Sequence, residues 1–354
     1  MSRMIKQEKI TGRRREDAEP GSTREALVLP TFLPIVTTYS VTSEETPLAT
    51  LMNDSRALSL AFLHYQERMG FDCLPIMEES TFTAEAFGCK IEFKTHEAYV
   101  VEHLANGSLE EAARVSVPDL AACQRIRLIL ESVEYLSAFS TLRRPLVVNS
   151  TAPLSSASKI IGIENLLKDM IKAPEMVTVL LDKVTEFIIT FSHSLIKAGA
   201  RIIFVGEPVG SPDLISPRLF KELVKPRLKK LFESIDAVTI LHICGDVSPI
   251  LLDMVETGPS ILSVDHYVDL RYAREMVDHG VILGGNLDPG VTIFQGSPGQ
   301  IEKAARMCCM EGGPEDFVLM PGCTIVPGTP PENIRAMIRV ARELLEPLAY
   351  YPSI

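Results

Sequence analysis

Two residues in the second half of the chain, His242 and Cys244, have the types and the spacing of a metal-binding pair. They end an apolar, β-branched run that starts at Val238 and predicts a buried strand. Side chains alternate along a strand, so residues two positions apart lie on the same face. An imidazole and a thiol on one face supply two of the three protein ligands that a catalytic zinc ion uses.

The third ligand would have to come from a distant segment, and Cys323 is the candidate. It follows a second apolar run, Asp316–Met320. Local structural zinc modules use cysteines only a few residues apart, so the long separation of Cys244 and Cys323 argues against that class. The alternative interpretation is that both cysteines only pack, because buried cysteines are common in protein cores.

The composition excludes several classes of protein. The chain has 354 residues, of which 46% are hydrophobic and 23% charged, as in ordinary globular proteins. A net charge of −11 does not indicate a nucleic-acid surface. No apolar run approaches the roughly 20 residues that cross a bilayer, no signal peptide is recognisable, and the seven cysteines form no disulfide framework. These features predict a cytoplasmic protein without membrane or nucleic-acid partners.

The elements that must position the three ligands are apolar strands alternating with helices. Such strands predict a parallel sheet, and eight of them predict a (β/α)8 TIM barrel. We expect a single barrel domain over residues 25–354, after a polar arm at 1–24, with a small hairpin near residues 86–101. An open doubly wound sheet is the alternative, but no Gly-x-Gly-x-x-Gly follows the first strand. The predicted strands are Leu27–Thr38, Phe71–Ile76, Pro145–Asn149, Ala200–Pro208, Val238–Asp246, Ser260–His266, Val281–Pro289 and Asp316–Cys323.

In a barrel of this type the active site lies at the carboxyl ends of the strands, so His242, Cys244 and Cys323 can converge there. Two thiolates and one imidazole make an electron-rich zinc, which suits binding and activating a thiol. Glu207 follows the fourth strand and is predicted either to be the fourth ligand or to accept the thiol proton. Its alternative role is a hydrogen bond to a loop backbone. Other polar residues at strand ends are Glu78, Asn149, Asp265, His266, Asn286 and Asp288.

Five segments of the chain carry a family resemblance: Glu207–Pro217, Val224–Arg227, His242–Asp246, Gly285–Pro289 and Pro321–Asn333. Together they resemble the uroporphyrinogen decarboxylase superfamily, in its corrinoid-dependent methyltransferase branch. The likeness to methylcobamide:coenzyme M methyltransferases runs from about residue 50 to the end and is strongest after residue 200.

The resemblance implies a (β/α)8 barrel with a catalytic zinc on His242, Cys244 and Cys323. It also implies that zinc activates a small thiol acceptor, such as coenzyme M. The thiolate then takes a methyl group from methylcobalamin on a separate corrinoid protein and leaves cob(I)alamin. The catalytic candidates beside the ligands are Glu207, Asp265 and Asn286.

Three alternatives stay open. In the first, zinc acts on a methoxyl or methylamine donor, and the methyl group passes to cob(I)alamin. The second is a metal-free uroporphyrinogen decarboxylase, a lyase. It is disfavoured because the chain lacks the arginine-rich signature of that branch and has no arginine in Thr37–Leu51. The third is a non-catalytic protein that binds a corrinoid or a metal.

Overall fold

The computed structural model describes residues 27–76, 80–278 and 280–350. The predicted polar arm at residues 1–24 and the strand-end residue Glu78 lie outside these ranges. Eleven strands occur in the described part of the chain. In chain order they are β1 (Leu27–Leu29), β2 (Leu74–Ile76), β3 (Lys90–Phe93), β4 (Ala98–Glu102), β5 (Leu146–Thr151), β6 (Ile202–Gly206), β7 (Val238–Ile243), β8 (Ile261–Val264), β9 (Ile282–Leu287), β10 (Phe317–Pro321) and β11 (Leu348–Tyr350).

Seven of these strands form one curled parallel sheet in the order β10-β9-β8-β7-β6-β5-β2. Nearly every residue of these strands is buried. A parallel strand covered on both faces needs apolar side chains on both, which explains the near-continuous apolar runs in the sequence. All seven strands run in the same direction, so their carboxyl ends share one edge of the sheet.

Helices connect the strands and cover the sheet. None of them, within the described ranges, is both long and apolar enough to span a bilayer. They are α1 (Leu48–Leu51), α2 (Ser55–Met69), α3 (Thr81–Ala86), α4 (Leu109–Ala112), α5 (Gln124–Ser137), α6 (Pro153–Ile161), α7 (Ile163–Lys172), α8 (Pro174–Ala198), α9 (Pro217–Leu219), α10 (Lys225–Ser234), α11 (Leu251–Val255), α12 (Leu270–Met276), α13 (Pro298–Gly312) and α14 (Pro331–Leu344).

The first of the eight predicted strands, Leu27–Thr38, is divided rather than continuous. β1 pairs antiparallel with β11, outside the main sheet. Next along the chain, Thr31–Leu33 lies parallel to β10 and forms a single bridge with it. Leu319 donates its N–H to the Thr31 carbonyl at 3.0 Å and accepts the N–H of Leu33 at 3.1 Å. The next step of this ladder would need an N–H from Pro321 to the Leu33 carbonyl, and proline has no N–H, which limits the ladder to one step. The described sheet is therefore a seven-stranded curled sheet, where the sequence predicted eight regular strands.

The predicted hairpin is confirmed, since β3 and β4 pair antiparallel. It lies between β2 and β5 in the chain, so it extends from the carboxyl edge of the sheet. At its turn, Nδ1 of His96 lies 2.8 Å from the Thr42 hydroxyl, and its ring centre is 4.4 Å from that of Tyr39. These contacts join the hairpin to the loop after Leu33, and the two together cover part of the carboxyl edge.

Candidate metal centre

The three predicted ligands lie together at the carboxyl edge of the sheet. Sγ of Cys244 is 3.5 Å from Nε2 of His242 and 3.7 Å from Sγ of Cys323. The ligand atoms of all three lie within 4.8 Å of one another. His242 belongs to β7, Cys244 follows it directly, and Cys323 follows β10. Parallel strands thus bring together two segments that are far apart in the sequence.

These distances fit a tetrahedral zinc ion. Zinc–sulfur bonds of about 2.3 Å and zinc–nitrogen bonds of about 2.0–2.1 Å place tetrahedral ligand atoms about 3.8 Å apart for two sulfurs and about 3.6 Å apart for sulfur and nitrogen. The observed separations are 3.7 and 3.5 Å. Both cysteines are free thiols. In the described part of the chain, no other group of three or more histidine, cysteine or acidic residues is arranged to hold a metal.

The electrostatics of the two thiols favour release of one proton. The pKa of Cys323 is lowered, first by the hydrogen bond from Cys244 and then by His242. The pKa of Cys244 is raised, because it hydrogen-bonds to Cys323 and is desolvated. A pair that already shares one proton is a good metal site, since metal ligands must be deprotonated thiolates.

The orientation of the His242 ring is set by Ser263, a residue that the sequence analysis did not identify. The two residues are register partners on β7 and β8, and Nδ1 lies 3.1 Å from the Ser263 hydroxyl oxygen. Ser263 is fully buried and His242 is 4% exposed. With Nδ1 engaged, Nε2 points to the cysteines, as ligating histidines normally require. The only sequence signal for Ser263 was a polar residue inside an apolar strand.

Asp265 and Asn286 lie next to the centre and hold its loops. The Asp265 carboxylate accepts the N–H of Gly245, directly after Cys244, at 2.8 Å. The Asn286 amide donates to the carbonyls of Asp265 at 3.0 Å and of Val268 at 2.8 Å. Both predicted site residues are buried, and each of these hydrogen bonds joins a side chain to a backbone group. The geometry thus supports a positioning role for each.

Glu207 is fully buried and bound to the N-terminus of α6. Its carboxylate accepts the N–H groups of Leu154 at 2.8 Å and Ser155 at 2.7 Å, and it also accepts the Ser155 hydroxyl. A carboxylate at a helix N-terminus satisfies otherwise unpaired N–H groups. Burial raises its pKa to about 7, although the hydrogen bonds from Ser155 and Leu154 partly oppose this. These hydrogen bonds go to the backbone of a helix, where the sequence analysis considered a loop backbone, and the group of possible metal ligands does not include Glu207.

The remaining strand-end residues take different positions. Asn149 lines the cavity over the centre. Asp288 instead accepts the N–H groups of Gly290 and Val291 at the start of the next turn. His266 packs its ring 4.1 Å from that of Tyr267, and its Nδ1 is 2.5 Å from the Asp265 carboxylate.

A cavity of about 520 Å³ opens over the candidate centre. His242, Cys244 and Cys323 form part of its wall. The loop after Leu33 and the β3–β4 hairpin form another part. The helix α6, which the sequence analysis did not predict, contributes a third part. Its missed signal was Pro153, a proline suited to the first position of a helix. The cavity lining from α6 is Ser155, Ser156, Ser158 and Lys159.

Comparisons with known proteins identify a family for this chain. The family model for uroporphyrinogen decarboxylase (URO-D) matches residues 32–344. A methylcobamide:CoM methyltransferase from Methanosarcina barkeri is 32% identical over 295 residues, which cover 82% of this chain and 85% of that protein. A solved structure of a methyltransferase from Methanosarcina mazei superposes with a TM-score of 0.79 at 30% identity, covering 89% of this chain and 94% of the other.

A decarboxylase of the same family is also similar, over a shorter stretch. The uroporphyrinogen decarboxylase of Thermus thermophilus is 29% identical over 244 residues, or 66% of this chain and 68% of that protein. The comparisons confirm the predicted resemblance to the methyltransferase branch and support the predicted enzyme class, a methyltransferase. The chain belongs to the uroporphyrinogen decarboxylase (URO-D) family.

Proposed function

We propose that this protein is a zinc-dependent methyltransferase, which moves a methyl group from a corrinoid carried by a partner protein to a small thiol acceptor such as coenzyme M. The observation that carries the proposal is the arrangement of His242, Cys244 and Cys323, whose separations match a tetrahedral zinc site. The similarity to methylcobamide:CoM methyltransferases supports the same reaction. We also infer that Thr31–Leu33 takes the place of the eighth strand of a (β/α)8 barrel, because it lies parallel to β10.

In this proposal His242, Cys244 and Cys323 would hold the metal beside the cavity that they line. When bound, zinc supplies a Lewis acid that lowers the pKa of a thiol, so that the thiol reacts as a thiolate at neutral pH. Ser263 keeps the His242 ring in its ligating orientation. Asp265 fixes the backbone directly after Cys244.

Glu207 is the proposed acceptor of the thiol proton. Its pKa of about 7 is close to that of an efficient base at neutral pH. Ser155 lines the cavity and donates its hydroxyl to Glu207, so it can pass a proton from the cavity to the carboxylate. In the transfer, the acceptor sulfur forms a bond to the methyl carbon while the cobalt–carbon bond breaks. Both electrons of the broken bond stay on cobalt.

The rim of the cavity suits a protein partner that presents the corrinoid. Six large apolar side chains, on the β3–β4 hairpin, on the segment after Leu33 and on the segments that follow β6, β8 and β9, are between 37% and 67% exposed. Aromatic residues exposed around a concave site are typical of protein interfaces. We therefore assign the corrinoid protein to this face of the molecule. The six residues are Tyr39, Tyr99, Leu214, Tyr267, Val291 and Phe294.

The test is the zinc content of the full chain purified without added metal, beside the variants Cys244→Ala and Cys323→Ala. We expect about one zinc per chain in the wild type and its loss in both variants, since three ligands form one site. Cys123→Ala is the matched control, because Cys123 is also a free, half-buried cysteine. A wild-type chain without zinc, under conditions that keep zinc in other proteins, contradicts the proposal.

The reaction itself is tested with methylcobalamin as methyl donor and a panel of thiols, by following the visible spectrum of the corrinoid. We expect thiol-dependent demethylation that is lost in Cys244→Ala and kept in Cys123→Ala. A zinc-loaded enzyme that instead methylates cob(I)alamin from a methoxyl or methylamine compound would assign it the opposite direction of transfer.

A further inference from the structure

A second cavity, of about 450 Å³, lies between helix α2 and the loop after Leu33. His242, Cys244 and Cys323 do not line it, so it is separate from the candidate centre. One of its walls is a single face of α2, because the lining residues there follow one another at helical spacing. The facing wall is formed by the loop from Ser40 to Thr46. The lining residues on α2 are Ala57, Leu60, Ala61, His64, Tyr65 and Arg68.

The lining of this second cavity combines apolar side chains with hydroxyl groups and one cation. Among the described residues that line it there is no aspartate or glutamate, and Arg68 is the single lysine or arginine. The acidic residues of the loop, Glu44 and Glu45, are exposed and lie outside the lining. The cavity therefore favours an anion that carries an apolar part. Its hydroxyl-bearing residues on the loop are Ser40, Thr42, Ser43 and Thr46.

The guanidinium group of Arg68 is not neutralised by a carboxylate. It lies over the Tyr65 ring, 5.3 Å from the ring centre, and it forms no ion pair with any described residue. Arg335 on α14 donates to the backbone carbonyl of Arg68 at 2.6 Å, which brings a second positive charge to this end of α2. Guanidinium groups bind the oxygens of carboxylates and phosphates in a bidentate manner. Arg68 thus has the chemistry to bind an oxyanion at this cavity.

Ser40 adds a buried hydroxyl group next to Arg68. Its Oγ is buried and makes no hydrogen bond of ordinary geometry with a described residue. Burial raises the pKa of Tyr65, and the nearby Ser40 hydroxyl and Arg68 guanidinium partly oppose this. The Tyr65 side chain therefore connects the cation to the hydroxyl group. A buried hydroxyl without a hydrogen bond costs free energy, which a bound acceptor would recover.

We propose that this cavity is a second binding site, which takes a small organic oxyanion with an apolar body. Arg68 and the hydroxyl groups of the loop bind the oxyanion, and the apolar body lies against Leu60 and Ala61. Carboxylates and phosphate esters share the required chemistry, and the experiment separates them. The site shares no lining residue with the candidate centre, so it goes beyond the proposed function and does not depend on it.

The loop connects the second cavity to the first. Thr37, Thr38 and Tyr39 line the cavity over the candidate centre, and the residues that follow them line the second one. The Thr42 hydroxyl, 2.8 Å from Nδ1 of His96, joins the same loop to the β3–β4 hairpin. A ligand in the second cavity therefore stabilises a loop that is also a wall of the first.

The experiment measures the binding of three probes to the full chain by titration calorimetry. Benzoate and phenyl phosphate carry an oxyanion on an aromatic ring, and benzyl alcohol is the neutral counterpart. We expect saturable binding of at least one anion, whose Kd rises about 10-fold in Arg68→Gln because one charge-assisted hydrogen bond to an exposed side chain is lost. Benzyl alcohol should bind both proteins equally. The matched control is Arg56→Gln, since Arg56 is an exposed arginine of α2 that lies over the Tyr135 ring and outside the cavity.

Two further measurements locate the bound probe. Cys244→Ala should bind the anion as the wild type does, because Cys244 lines only the first cavity. The bound anion should also slow hydrogen exchange of the backbone amides of residues 41–46 in the wild type. The better-bound probe identifies the preferred oxyanion.

The proposal is overturned if neither anion binds saturably, or if Arg68→Gln and Arg56→Gln weaken binding equally. Loss of binding in Cys244→Ala would overturn it too, since it would place the probe in the first cavity. Binding that leaves hydrogen exchange in the loop unchanged would place the probe elsewhere on the molecule and would equally overturn it. All these measurements are made without methyl transfer, so their outcome is independent of the proposed reaction.

Discussion

Replacing Ser263 by alanine tests how the candidate centre is built. Ser263 makes a 3.1 Å hydrogen bond to Nδ1 of His242, and both residues are buried. The substitution removes this oxygen and leaves the ring without its orienting partner. We expect zinc to be retained but bound more weakly, because all three ligands are still present.

The magnitude follows from the loss of one orienting hydrogen bond. Removing such a partner of a ligating histidine typically weakens metal binding by about 10- to 100-fold. This is roughly 1.4–2.7 kcal/mol of binding free energy, at 1.4 kcal/mol for each factor of ten. Water has little access to compensate, since Ser263 is 0% exposed and His242 is 4% exposed. We therefore expect the loss of zinc affinity in Ser263→Ala to fall in the upper half of this range.

The assay is competition for zinc between the protein and a chromophoric chelator, with wild type and Ser263→Ala measured side by side. Ser260→Ala is the matched control. Ser260 also joins β7 to β8, but its hydroxyl accepts the backbone N–H of Thr239 at 3.1 Å and not the ring of His242. We expect Ser260→Ala to bind zinc as the wild type does.

Equal zinc affinity of Ser263→Ala and wild type would refute the reasoning. It would show that the rigid strand β7, and not the hydrogen bond, orients the ring. An equal loss in Ser263→Ala and Ser260→Ala would refute it in another way, since it would indicate a general weakening of the contact between β7 and β8.

Two further predictions concern the supports of the site. Glu207 has a pKa raised to about 7, so the folded protein holds a proton that the unfolded chain has lost above about pH 4.5. Its contribution to stability is therefore present at low pH and is lost as pH rises toward 7, by up to about 1.4 kcal/mol per pH unit. In Glu207→Gln, thermal unfolding between pH 5 and 7 should lose this slope, and an unchanged slope would contradict the assignment. Gly245 directly follows Cys244 and has φ +83°, a backbone conformation that alanine adopts only with strain. Gly245→Ala should displace the neighbouring Cys244 and lower zinc affinity. Gly258→Ala has a similar φ of +86° with open space around it, so it should lower only stability, by about 1–2 kcal/mol. Equal zinc affinity in both alanine variants would count against the argument that backbone strain next to Cys244 disturbs the site.

Much of the fold followed from local patterns. The apolar runs at Val238–Ile243 and Phe317–Pro321 are strands of a parallel sheet, as predicted. The proline at Pro174 starts a helix, and the segment Phe220–Val224 before Pro226 is a π-type turn between α9 and α10. The first predicted strand was the main error. Its hydrophobicity is right for a strand, but Pro321 on the facing strand β10 has no N–H for the next step of a regular ladder.

Part of the candidate centre also followed from the sequence. Alternation along β7 places His242 and Cys244 on one face, which is a local property of a strand. The contact of Cys244 with Cys323 was an expectation of the barrel, and the structure brings the two sulfurs to 3.7 Å. The sequence identified the metal-binding residue types, because few other side chains have soft donor atoms.

Only the tertiary structure decided how those residues are supported. Ser263 and Ser155 carry little sequence signal that separates them from other serines, because serine occurs at many positions for many reasons. Their roles arise from the contacts of Ser263 with His242 and of Ser155 with Glu207. These contacts join elements that are distant in the chain. Local pattern fixes which side chains can bind a metal, whereas packing between strands and helices fixes their orientation, charge and neighbours.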